Sequence, residues 1–115
     1  MEERVEKWLL DIKAAIAEID FYYEDQPRSF ESFTNNLMLR RAVERNLEII
    51  GEAMNRILAK DPDFPIENAK RIVGLRNQLI HGYDNISFEN IWAILINHLP
   101  KLKITINKLI ENSNP

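Results

Sequence analysis

With 115 residues, 45% of them hydrophobic and 9% aromatic, the chain has material for one core and no room for a second domain. The absence of cysteine excludes disulfides, thiolate zinc sites and a cysteine nucleophile, and it fits a reducing, cytoplasmic setting. A net charge of -3 is not that of a general nucleic-acid binder, and no apolar run approaches the roughly 20 residues needed to span a bilayer.

The charge is uneven. Residues 1–31 hold nine acids against four bases, while residues 32–115 hold nine acids against eleven bases. Any RNA contact is therefore expected to avoid the first helix. The start, Met1-Glu2-Glu3-Arg4-Val5-Glu6, is acidic and lacks the basic and apolar regions of a signal peptide, so export is not expected.

The first helix is predicted from Val5 to about Tyr23, where Val5, Trp8, Leu9, Ile12, Ile16, Ile19 and Tyr23 recur at steps of three and four. Gln26-Pro27-Arg28-Ser29 interrupts it, and Phe30-Glu31-Ser32-Phe33 can add a turn. A second helix follows from Leu39 to Leu58 on the stripe Leu39, Val43, Leu47, Ile50, Met54, Ile57. Asp61-Pro62-Asp63-Phe64-Pro65 ends it, and Pro65 suits the first turn of a third helix reaching His81, with Gly82 as its stop. Ser87 caps a fourth helix with the stripe Ile91, Leu95, Leu99, Leu102, Ile106, Leu109, kinked or split at Pro100, and the tail from Asn112 to Pro115 frays. The expected fold is all-α: an up-and-down four-helix bundle forming a single domain over residues 1–115.

The three glycines form no phosphate-cradling loop, which excludes the common nucleotide-binding turns. Chemistry is best sought in Arg76-Asn77-Gln78-Leu79-Ile80-His81-Gly82-Tyr83. Arg76 and His81 lie about 140° apart around a helix and about 7.5 Å along it, close enough for a long arginine to share one phosphate with the imidazole. A helix C-terminus favours imidazolium, which suits acid–base work near neutral pH. RNA can be cut without metal if a base takes the 2′-hydroxyl proton, an acid protonates the leaving 5′-oxygen and a cation steadies the phosphorane. That chemistry wants two proton carriers, which a two-fold dimer with two copies of His81 and Arg76 would supply. Spacing alone leaves the bland alternative open, since an arginine and a histidine near a helix end are favoured electrostatically whatever the function.

Other candidates have structural readings. His98 lies near the apolar stripe of the fourth helix with no acid or cysteine at metal-ligand spacing. Glu44, Glu48 and Glu52 could form a carboxylate row, but Arg40, Arg41, Arg45 and Arg56 stand at pairing distance, so a solvated, salt-bridged face is expected. Asn46, inside an apolar stripe, either faces a groove or caps a buried carbonyl. Trp8, Trp92 and Phe21-Tyr22-Tyr23 are spaced as core or interface residues. No metal or cofactor is expected.

The pattern Arg76-Asn77-x-x-x-His81-x-Tyr83 resembles the R-x4-H-x-Y signature of HepT-like toxins, ribonucleases of the HEPN superfamily. Arg41 through Ala53 on the second helix, and Ile91-Trp92 through Leu99-Pro100 on the fourth, extend the resemblance over nearly the whole chain. It implies a helical homodimer in which Arg76 and His81 face their copies across the two-fold axis and cut RNA without metal, assisted by Asn77. It also implies a toxin–antitoxin pair, with a minimal nucleotidyltransferase antitoxin that transfers AMP from ATP to Tyr83. From the residues alone Tyr83 reads sooner as a partly buried loop aromatic whose hydroxyl bonds a neighbouring backbone group. A non-catalytic dimeric adaptor that only binds the nucleotidyltransferase is the alternative, and a plain structural bundle the third.

Overall fold

The computed structural model describes residues 1–81 and 87–113, the side chain of His81 excepted. The described residues form helices and no strand: α1 (Glu3–Tyr22), α2 (Phe30–Asn35), α3 (Leu37–Lys60), α4 (Ala69–His81), α5 (Phe88–Ala93), a π-helical turn (Ile94–His98) and α6 (Leu99–Ser113). α5, the π turn and α6 follow one another without a break, so four long helical segments build the bundle.

α1 starts where the Glu2 carboxylate accepts the backbone N–H groups of Arg4 and Val5, two of the donors a helix start leaves unpaired. Its predicted stripe is the buried one: Leu9 and Ile12 are wholly inside. α3 runs antiparallel to α1, with Lys60 3.6 Å from Glu2 at one end. Nearer the other end, Asn46 donates to the Ala15 carbonyl at 2.9 Å and to Glu18 at 3.1 Å, and accepts from the Tyr22 hydroxyl at 3.2 Å. Of the two readings of Asn46, the structure selects the buried carbonyl. α6 also packs on α1, tied by Lys103 to Asp20 at 2.9 Å.

The turn at Phe30 is a full short helix. Ser29 caps it by accepting the Ser32 N–H at 3.1 Å, and Phe33 is completely buried against Phe88 and Trp92. Phe30 meets Trp92 edge-on, so α2 is clamped to α5 by aromatic packing. Asn36 closes α2 and opens α3 by accepting the Leu39 N–H at 3.0 Å, two residues before the predicted start.

Other features of the helices depart from expectation. α4 begins at Ala69 and not at Pro65, because the chain turns through 61–68 to bury Ile66 and sets Asn68 at φ 63°, a left-handed geometry that cannot continue a helix. The Asn68 carbonyl then accepts from Arg71 and Ile72 to start the helix. In the last segment Ser87 caps as predicted, accepting the Asn90 N–H at 3.1 Å. The irregularity lies just ahead of Pro100: the Leu99 N–H reaches back five residues to the Ile94 carbonyl. A proline has no N–H and its ring crowds the carbonyl four residues earlier, so one widened turn absorbs the conflict and the helix goes on. It also runs through Asn112 to Ser113, where fraying was expected. Gly82, the predicted stop of the third helix, lies outside the described residues.

Candidate active site

α3 carries ten buried residues, including Gly51 at the point where α4 crosses it. A Cβ placed on Gly51 would run into the Cβ of Arg76, and would lie 2.9 Å from its Cγ and 3.2 Å from the Ile72 carbonyl oxygen. Glycine inside a helix costs about 1 kcal/mol relative to alanine, so its use there reflects the approach of α4 rather than helix formation.

That approach brings the stem of Arg76 against α3 and its head to a groove of about 330 Å³. Trp8 and Asp11 of α1 form one wall, Arg45, Glu48, Ile49, Glu52, Ala53 and Arg56 of α3 the floor, and Arg76 and Ile80 of α4 the other wall. The arginine side chain is 22% exposed. Its Nη2 is 2.7 Å from Glu52 Oε2, its Nη1 donates to Asn77 Oδ1 at 2.9 Å, and its buried Nε finds no acceptor among the described residues. Charge-assisted contacts of this length fix the plane of a guanidinium.

The glutamate row is paired as expected at three points: Arg41 with Glu44 at 3.4 Å, Arg45 with Glu48 at 3.2 Å and Arg56 with Glu52 at 3.1 Å. Two parts of that reading change. Glu44 is buried, not solvated, and Arg40 leaves the row to donate to the Thr34 carbonyl at 2.6 Å while lying over the Phe88 ring. Among the described residues no group of three His, Asp or Glu side chains could hold a metal ion, and no helix is long and apolar enough to cross a membrane.

Of the predicted site residues, Arg76 and Asn77 are brought together. His81 is the last residue of α4 and its side chain lies outside the description, as does Tyr83 altogether. His98 is half-buried in the π turn, with its Nδ1 buried and unpartnered among the described residues. Trp92 joins the aromatic cluster, Tyr22 and Tyr23 pack on the core, and Phe21 stands 67% exposed. Burial pushes the Tyr23 hydroxyl above its ordinary pKa, against the pull of the Arg28 charge. Sequence reasoning missed Glu52 as a partner of Arg76 and Gly51 as the residue that lets them meet. The available signal was a glycine beside a glutamate inside a long amphipathic helix.

An all-helical bundle with an immobilised arginine at a groove, one helical turn and a half before a histidine, defines the class to which the comparisons point. The ribonuclease HepT-like family model matches residues 12–109, and the chain belongs to that family. It is 40% identical over 101 residues to "Putative RNase MJ1380" of Methanocaldococcus jannaschii, covering 86% of this chain and 90% of that one. A second protein of the same description and organism is 32% identical over 111 residues, 89% of this chain and 93% of its own. "Probable ribonuclease HepT" of Thermococcus cleftensis is 31% identical over 113 residues, 95% and 98% of the two chains. No solved structure matches the chain.

Proposed function

We propose that this protein is a metal-independent endoribonuclease, the toxin of a toxin–antitoxin pair, cutting RNA with Arg76 and His81 at a two-fold dimer interface. The observation that carries the reading is the Arg76 guanidinium, held at the groove by Glu52 and Asn77 with donors to spare. Membership of a ribonuclease family and relatives named as ribonucleases support the same chemistry.

In the proposed reaction one His81 imidazole takes the proton of the 2′-hydroxyl, whose oxygen attacks the adjacent phosphorus. The P–O5′ bond breaks, and the partner subunit's His81 gives its proton to the departing 5′-oxygen. Arg76 stabilises the charge that gathers on the phosphoryl oxygens between these events, where preorganised donors contribute most. The products are a 2′,3′-cyclic phosphate and a 5′-hydroxyl. Asn77 assists by accepting from Nη1 of Arg76. Trp8, from the acidic first helix, stands in the groove wall, so α1 is closer to the proposed RNA path than its charge suggests.

Regulation is proposed at Tyr83: AMP transferred there by a minimal nucleotidyltransferase antitoxin would set a phosphate two residues from His81 and compete with RNA for Arg76.

The test is cleavage of single-stranded RNA by the purified protein with EDTA present. Wild type should release cyclic-phosphate ends, Arg76→Ala and His81→Ala should be folded and lose at least about a thousandfold in rate, and a 2′-deoxy residue at the cut should block cleavage. Activity abolished by EDTA, or DNA cut at a similar rate, would sink the mechanism. A wild type that leaves RNA intact but binds the nucleotidyltransferase would establish the adaptor instead.

A further inference from the structure

An arginine contributes to a transition state only if its donors are already aimed, and a free arginine side chain carries about 2 kcal/mol of rotamer entropy. Among the described residues α4 offers Arg76 one acceptor of its own, the neighbouring Asn77. The stronger restraint comes from α3. Glu52 directs Oε2 at Nη2 of Arg76, 2.7 Å away, and Oε1 at Nε of Arg56, 3.1 Å away. Two arginines share one carboxylate, so the trio keeps a net positive charge, and Arg56 in turn holds Glu52.

The donor count matters. Each terminal nitrogen of a guanidinium bears two hydrogens; Asn77 takes one from Nη1, and Glu52 is ion-paired with Nη2 at 2.7 Å. The guanidinium keeps N–H groups that neither partner takes, and these can engage the oxygens of a phosphate. Gly51 makes the reach possible, because any side chain there would push the Arg76 stem away from α3. An exposed ion pair needs no such clearance.

We infer that Glu52 is a positioning residue for RNA cleavage: it orients the Arg76 guanidinium toward the scissile phosphate and is itself steadied by Arg56. The inference rests on the ribonuclease reading, whereas the immobilisation of Arg76 can be read without RNA.

The experiment compares wild type, Glu52→Gln, Glu52→Ala, Arg56→Ala, Arg76→Ala and the Glu52→Gln/Arg76→Ala pair by steady-state RNA cleavage and by arginine side-chain NMR. Glu52→Gln should lower kcat about 10- to 100-fold, as small misplacements of catalytic groups do, with KM within about threefold. On the Arg76→Ala background it should add nothing. Arg56→Ala should lose less than Glu52→Gln. Rotation about the Cζ–Nε bond of Arg76 should be slow in wild type and fast in both Glu52 variants. The inference is overturned if kcat of Glu52→Gln stays within about twofold of wild type or rises, if its loss persists on the Arg76→Ala background, if Arg56→Ala loses as much, or if Arg76 already rotates freely in wild type. Failure of the ribonuclease reading looks different: wild type and Arg76→Ala would be equally inert toward RNA, while the NMR signature would still report whether Glu52 holds Arg76.

Discussion

Gly51 and Gly74 are both helical, yet their surroundings assign them opposite roles. Gly51 is filled by the stem of Arg76, while a Cβ at Gly74 meets nothing within 4 Å. Alanine should therefore act with opposite sign at the two. Gly51→Ala gains about 1 kcal/mol of helix propensity but forces α3 and α4 apart, an overpacking cost of about 1–3 kcal/mol, so it should lower stability and RNA cleavage together. Gly74→Ala should raise stability by about 0.5–1 kcal/mol. Denaturant titration of both variants checks this, and a Gly51→Ala protein as stable and active as wild type would refute the close approach as the reason for glycine. At the same scale, Tyr83→Phe removes only a hydroxyl oxygen. The variant should cleave RNA like wild type and escape silencing by the nucleotidyltransferase with ATP, with mass spectrometry finding AMP on wild-type Tyr83 alone. AMP on Tyr22 or Tyr23 would refute the proposed switch.

Among the elements, α3 organises the bundle, since α1, α2 and α4 all pack on it. Its apolar stripe supplies the driving force and Asn46 supplies the register. With Asn46 only 3% exposed and bonded to Ala15, Glu18 and Tyr22, the α1–α3 pair has one axial position in which every partner is met. Asn46→Ala leaves these groups without their partner inside the protein, and should cost about 1–3 kcal/mol in denaturant titration. A cost below about 0.5 kcal/mol would mean that water replaces the amide. In the last helical segment the π turn shows how a proline is carried without breaking a stripe. Ile91 before the widened turn, Leu95 within it and Leu102 after it are all buried in the core.

For the whole molecule, Asp20 ties α1 to α6 through Lys103 and to the following loop through Arg28, at 2.9 and 3.1 Å. Partial burial pulls its carboxyl upward, but the hydrogen bonds and charges of Lys103 and Arg28 outweigh that and leave it below its ordinary value. A carboxyl whose pKa is lowered on folding stabilises the protein at pH above its unfolded pKa, and that contribution is lost as pH falls through the folded value. Because the side chain is 37% exposed, the gain at neutral pH should be no more than about 1 kcal/mol. Asp20→Asn should be less stable than wild type at pH 7, and the difference should shrink as pH falls below about 4 and vanish once the folded carboxyl is protonated. A gap that persists in acid would mean packing, not charge. The proposed chemistry further requires a dimer, because one His81 cannot readily be base and acid in the same step. Sedimentation at micromolar concentration should show a dimer, and a monomer that still cleaves RNA would overturn the composite site.

The stripes of α1, α3 and α6 and the Ser87 cap were legible in the sequence, because each depends on residues only a few helical turns apart along the chain. The family was legible as well, through a motif whose spacing is local. What the sequence left open needed neighbours far along the chain. Asn46 finds its carbonyl 31 residues earlier, Glu52 finds Arg76 24 residues later, and Gly51 has a purpose only once α4 lies on it. Local propensity sets which segments are helical and which face is apolar. Which polar group meets which is decided by helix crossing and register, set only when the whole core packs.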